Sequence, residues 1–239
     1  MAEFFTPESL AALLTLTSLE VVLGIDNVVF IAILAGKLPV DQRDKARQLG
    51  LLLAVVSRAM LVLAIGWVMR LNEPWFTVLE TPFSGKDLIL ILGGLFLLFK
   101  ATYEIHRKTE HSNPDAASAS PGLSLNGVLA QILMVDVVFS LDSVITAVGM
   151  TEGLENPLPI MLAAIFISVA VMLVFSKAIV DFIERHPAIK ILALSFLLLI
   201  GTLLVAEGFH QKIPKGYVYF AMAFSLAVDL LQMRAERRR

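Results

Sequence analysis

Seven stretches of mostly apolar residues, each about as long as a bilayer is thick, constrain this chain more than anything else in it. A helix needs about 20 such residues to cross the ~30 Å hydrocarbon layer. Spans are expected at 9–35, 48–70, 87–105, 123–148, 158–181, 188–209 and 216–233. The breaks between them are chemically distinct: 37–47 and 106–121 are polar, 71–86 holds Pro74, Pro82 and Gly85, and 149–157 has two acids and Pro157. His186-Pro187 separates two long apolar runs, and Lys212 to Lys215 with Pro214 opens the last gap. Composition agrees, at 57% hydrophobic and 17% charged with mean hydropathy +0.81. Soluble domains run nearer 45–50% and ~25%, and no soluble core of this size absorbs the surplus. The expected class is therefore all-α: a polytopic membrane protein forming one membrane domain over 1–239.

That composition excludes a disordered chain, a disulfide scaffold and a basic nucleic-acid binder, leaving the lipid bilayer as the obligatory surrounding. With no cysteine in 239 residues, thiolate metal sites, redox dithiols and cysteine nucleophiles are excluded as well.

Orientation follows from Lys and Arg in short loops, which stay on the cytoplasmic side. With the N-terminus outside, the inner face carries Lys37, Arg43, Lys45, Arg47, Arg107, Lys108, Arg185, Lys190, Arg234, Arg237, Arg238 and Arg239, against Arg70, Lys86, Lys212 and Lys215 outside. The N-terminus has Glu3 and Glu8 but no basic residue, so it lacks the positive region of a cleaved signal. It reads as an uncleaved first helix entering from outside, with the C-terminus cytoplasmic.

The first segment contains Glu20-Val-Val-Leu-Gly-Ile-Asp26-Asn27, and the fourth contains Asp136-Val-Val-Phe-Ser-Leu-Asp142-Ser143, 116 residues later. Met60-Leu61-Val62 in the second segment is echoed by Met172-Leu173-Val174 in the fifth, and Glu104 ends the third as Glu207 ends the sixth. Each half has three helices, an odd number, so equivalent helices cross in opposite directions. The expectation is an inverted repeat of 9–105 and 123–209, joined by a cytoplasmic linker at 106–122, with a seventh helix at 216–233 outside it. Transporters built this way place their sites near mid-membrane at the repeat interface.

An ionised acid at that depth costs several kcal/mol unless it is paired, hydrated or bound to a cation. Glu20, Asp26, Asp136 and Asp142 all lie well inside their segments. Of the basic residues inside segments, Lys100 and Lys177 lie near helix ends and can snorkel, which leaves Arg58 alone near a helix centre. One Arg cannot balance four carboxylates. With the Asn27 carbonyl and Ser143 hydroxyl, the acids make an all-oxygen ligand set that suits Mg²⁺, Ca²⁺ or Mn²⁺ rather than Zn²⁺ or copper. Acids six apart on a regular helix differ by about 120° in direction, so a shared cavity needs unwinding at Gly24 and Ser140; without it, each helix presents its two acids to different neighbours. Arg58, and Glu207 at its helix end beside Gly208, are candidates for a proton site or a ligand on the ion's way in. His106, His111, His186 and His210 lie at segment ends or in loops and read as ordinary polar residues.

These two motifs, with Glu184-Arg185-His186-Pro187 and Lys215-Gly-Tyr-Val-Tyr-Phe-Ala-Met-Ala-Phe-Ser225, resemble the TerC family of integral membrane proteins over essentially the whole chain. The resemblance implies a multi-pass bacterial inner-membrane protein linked to manganese export and to metal supply for exported proteins. It also carries the membrane motif onto Glu20, Asp26, Asp136 and Asp142, with Asn27 and Ser143 beside them. The expected function is divalent metal transport, with Mn²⁺ efflux coupled to proton entry, and the ion is cargo, so no prosthetic group is expected. The alternative is a non-transporting membrane partner of a tellurium-resistance or of a secretion and metalation complex. An enzyme is not expected, since HExxH, GxSxG and cysteine are all absent. A retinal protein would need a lysine in 216–232, which has none.

Overall fold

The computed structural model describes residues 6–78, 80–110, 124–151, 153–154, 156–211 and 213–236, without the side chains of residues 23, 25, 26, 108, 110, 184, 187 and 236. The expectations placed on 111–122, Lys212, Arg237, Arg238 and Arg239, and on the side chains of Asp26, Lys108 and Glu184, lie outside the described residues. Eight helices and one hairpin are described: α1 (Pro7–Ala35), α2 (Val40–Leu63), α3 (Ile65–Arg70), β1 (Pro74–Val78), β2 (Thr81–Ser84), α4 (Gly85–Glu110), α5 (Leu125–Met150), α6 (Pro157–Arg185), α7 (Pro187–Gly208) and α8 (Lys215–Glu236). All but α3 are long and apolar enough to cross a membrane. The protein is an all-α polytopic membrane protein.

Two boundaries differ from expectation. The polar run 37–47 is not simply a loop, because α2 begins at Val40 and takes the charged stretch through Arg47 into its first turns. Hydropathy marks only the part of a helix that lipid covers, and a helix can project beyond it. Arg47 shows how the charge is housed: it is buried, donates to the Ser176 hydroxyl at 2.6 Å and pairs with Asp44 at 3.3 Å. The second difference is at the other end, where α2 stops at Leu63 and a short α3 follows a break at Ala64. The Pro-rich gap after it holds an antiparallel hairpin, with Phe76 stacked on Phe83 at 5.8 Å and Glu80 in the tight turn at φ 65°.

The chain divides into two compact units. The first takes Met1–Lys86 and Leu123–Val180, hence α1, α2, α3, the hairpin, α5 and most of α6. Within it α1, α2 and α5 pack on one another. Helices α1 and α5 are antiparallel: Asn27 meets Asp136, while Leu16 and Glu20 share a crevice with Val144 and Ala147. Helix α1 also passes close to α6 at Gly24, where a Cβ would collide with the Met172 sulfur.

The second unit takes Asp87–Gly122 and Asp181–Arg239. Helices α4 and α7 run antiparallel and almost touch at two glycines. A Cβ on Gly94 would sit 2.7 Å from the Gly201 carbonyl oxygen, and one on Gly208 would sit 2.8 Å from that of Asp87. Small residues that let backbones approach are how helices gain packing where lipid is as apolar as leucine. The Asp87 carboxylate also meets His210 Nε2 at 3.0 Å. Helix α8 packs on α7 and is exposed along most of its length.

Candidate functional site

Helices α1 and α5 have no polar face in the usual sense; both are apolar nearly all round, and their few polar residues cluster along the motifs. Burying such groups is tolerable only when each finds a partner. Asp136 finds four. Its Oδ1 accepts from Asn27 Nδ2 at 3.0 Å and from Arg58 Nε at 3.3 Å, and its Oδ2 accepts from Ser57 Oγ at 2.5 Å and Ser140 Oγ at 3.4 Å. A carboxylate offers about four lone-pair sites, so Asp136 is saturated. Arg58 reaches past it to Glu20, whose Oε2 accepts from Nη1. One guanidinium from α2 thus bridges carboxylates of α1 and α5. Arg58 is 1% exposed, Asp136 2% and Glu20 4%, which places the triad in the interior of the first unit.

Both motif helices are continuous, α1 from Pro7 to Ala35 and α5 from Leu125 to Met150. The unwinding that a shared cavity needs at Gly24 and Ser140 is therefore absent: Gly24 is a close-approach residue within a regular helix, and the buried Ser140 hydroxyl serves Asp136 from one turn away. With the helix regular, acids six apart must face different neighbours. Asp136 faces Arg58, while Asp142 accepts from Lys86 Nζ at 3.5 Å, at the start of α4.

Of the residues singled out as metal ligands, the structure gathers Glu20, Asn27 and Asp136 around Arg58. Asp142 stands apart with Lys86, and Ser143, 2% exposed, donates to the Ser140 carbonyl at 3.3 Å. The Asp26 side chain lies outside the described residues. Glu207 belongs to the second unit, half-buried near the end of α7. Among the described residues no three acidic or histidine side chains converge as a ready metal-ligand set. The physical reason is visible, since a guanidinium sits between Glu20 and Asp136. Asn27 contributes its amide donor to this layer rather than the carbonyl that the sequence suggested.

Three participants were missed in the sequence. Ser57 was overshadowed by its neighbour Arg58, although two adjacent polar residues in an apolar run were a signal. Ser140 was read as a backbone feature and not as a donor. Lys86 was assigned to the outer loop and never weighed as a partner for Asp142.

The profile of the integral membrane protein TerC family matches residues 5–239, all but the first four of the chain. The chain belongs to the TerC family. Among its relatives, the UPF0053 inner membrane protein YoaE of Escherichia coli K12 is 52% identical over 231 residues, 97% of this chain and 44% of that protein. A UPF0053 protein of Haemophilus influenzae Rd is 49% identical over 231 residues, 97% of this chain and 96% of that one. The UPF0053 inner membrane protein YgdQ of E. coli K12 is 49% identical over 227 residues, 95% of this chain and 93% of that one. The chain thus spans under half of YoaE but nearly the full length of the other two TerC relatives. No solved structure matches the chain.

Proposed function

We propose that this TerC protein moves a divalent cation across the bacterial inner membrane, with Mn²⁺ efflux exchanged for protons as its activity. The observation that carries the proposal is a charge deficit inside the membrane. Four acids lie in the two motifs, and the bases paired with the three whose side chains are described are Arg58 and Lys86. In a formal count the four motif acids outnumber those two bases by two, a balance that suits one divalent cation. Carboxylates and hydroxyls favour hard cations, and a chain without cysteine offers no thiolate.

The α1–α5 register supports an inverted repeat. With Asn27 against Asp136, an antiparallel pairing sets the Leu23–Gly24 step against the Phe139–Ser140 step. Those steps are equivalent in the 116-residue repeat, so a pseudo-twofold axis in the membrane plane passes between them, where such transporters bind. The Lys and Arg distribution puts the N-terminus outside. Efflux of a divalent ion then works against an inside-negative potential that opposes it by about 2.3 kcal/mol per charge per 100 mV. Proton entry at carboxylates supplies the drive.

The test is Mn²⁺ movement in proteoliposomes, with and without a pH gradient, for wild type and for Asp26→Asn and Asp142→Asn. Transport that follows the gradient and is lost in both variants is the expected result. Wild-type flux that ignores the gradient removes the antiport. No flux from well-folded wild type rejects transport in favour of a membrane partner protein.

A further inference from the structure

The guanidinium of Arg58 occupies the place where a cation would sit. It lies between Glu20 on α1 and Asp136 on α5, held by Nη1 to one and by Nε to the other at 3.3 Å. Among the described residues it is the largest fully buried side chain, at 1% exposure. The rest of Asp136 is already satisfied by Asn27, Ser57 and Ser140. On the N-terminal side of α1, a narrow crevice lined by Leu16, Val62, Val144, Met161 and Ile165 reaches Glu20.

We propose that Arg58 is a tethered counter-cation, which the transported ion displaces from Glu20 and Asp136 and which returns when the ion leaves. The inference rests on the transport reading above and specifies how that site is regulated. A buried pair of acids left bare would hold a divalent ion too tightly to release it; conduction needs a site that the ion can also leave. A guanidinium is always charged and presents several donors in a rigid fork, so it holds both carboxylates at once and offsets one of their two negative charges without a proton being supplied. Ion and guanidinium compete for the same oxygens, Glu20 Oε2 and Asp136 Oδ1. That competition caps the affinity and hastens release. The alternative is a permanent lock that holds α1, α2 and α5 together and that the ion never touches.

The test measures Mn²⁺ transport kinetics in proteoliposomes for wild type, Arg58→Gln and Arg58→Lys, each checked for folding by size-exclusion chromatography. Removal of one buried charge from the ligand shell is expected to lower KM by about tenfold or more. Maximal rate should fall as well, because release slows. Arg58→Lys keeps a point charge but loses the fork, so its KM should fall less and its rate recover in part. If Arg58→Gln does not fold, the intermediate shift of Arg58→Lys carries the test alone. A folded variant whose KM is unchanged or raised overturns the counter-cation, as does loss of folded protein in both variants, which marks a lock. Wild type that moves no Mn²⁺ rejects the transport reading itself and is distinct from these results.

Discussion

A double-mutant cycle on Arg58 and Asp136 measures how strongly the buried triad is coupled. In the structure Arg58 Nε lies 3.3 Å from Asp136 Oδ1, and the two side chains are each 2% exposed, so solvent does not screen the pair. Removing one partner of a buried pair leaves the other uncompensated and costs about 3–5 kcal/mol. Asp136→Asn keeps the shape but offers one acceptor oxygen where two now serve Asn27, Arg58, Ser57 and Ser140. Its new amide group either faces the donors of Asn27 and Arg58 or forces the Ser57 and Ser140 hydroxyls to turn from donating to accepting. Arg58→Gln leaves Glu20 and Asp136 facing each other with no cation between them. Each single change is therefore expected to cost about 3–5 kcal/mol. The double change removes both charges of one pair, so its cost should be smaller than the summed singles by about 2 kcal/mol, well inside the range found for residues in one network. The assay is SDS-induced unfolding of the purified protein in mixed micelles, followed by far-UV circular dichroism. Singles that add to within about 0.5 kcal/mol would refute the reasoning, because a coupled buried pair cannot behave as two independent sites.

The pair Lys86–Asp142 is longer, at 3.5 Å, and less deeply buried, with side chains 17% and 11% exposed; Lys86→Gln should cost less than Arg58→Gln in the same titration. Gly94→Leu drives a side chain into the Gly201 backbone and should abolish folded protein on size-exclusion chromatography. Gly149→Ala meets nothing within 4 Å, lies in α5 and should stabilise by about 0.5–1 kcal/mol in the SDS titration. Ser124→Ala removes the cap that accepts from Gly127 N at 3.2 Å and should cost about 1 kcal/mol. Because the chain has no cysteine, single cysteines at Asp41 and Glu73 report topology directly. An impermeant maleimide added to whole spheroplasts should label Glu73→Cys and spare Asp41→Cys, and the opposite pattern reverses the orientation.

The helices were legible in the sequence because hydropathy over about 20 residues is a long, redundant signal. Each of the seven spans overlaps the apolar run that places it, and the largest difference is in the second, which begins at Val40 and breaks at Ala64. Val40 to Arg47 shows the limit: helix propensity and hydropathy separate at the membrane surface, and only hydropathy had been read. The hairpin at Pro74–Ser84 was not legible, because two prolines and a glycine within sixteen residues signal a break without saying what fills it. The division into units was hidden as well. Nothing along the chain says that 87–122 packs with 181–239, because that depends on which helices touch.

At the site, the sequence identified the carboxylates and the wrong neighbours for some of them. Periodicity forced a choice at Gly24: either the helix opens and its two acids share a cavity, or it stays regular and they part. The sequence leaves both courses open, because spacing alone does not say whether a glycine or serine breaks a helix. The structure takes the second, and the consequence is electrostatic. On regular helices Asp136 turns to Arg58 and Asp142 to Lys86, and no cage of converging acids exists among the described residues. A cage of bare carboxylates would have to be protonated or filled at all times, since an unpaired charge at that depth is expensive. Sharing Arg58 between Glu20 and Asp136, and setting Lys86 beside Asp142, lowers that cost for the three acids whose side chains are described. Counting acids in a membrane segment therefore finds the groups that need partners, but only the packing of the helices shows which bases reach them.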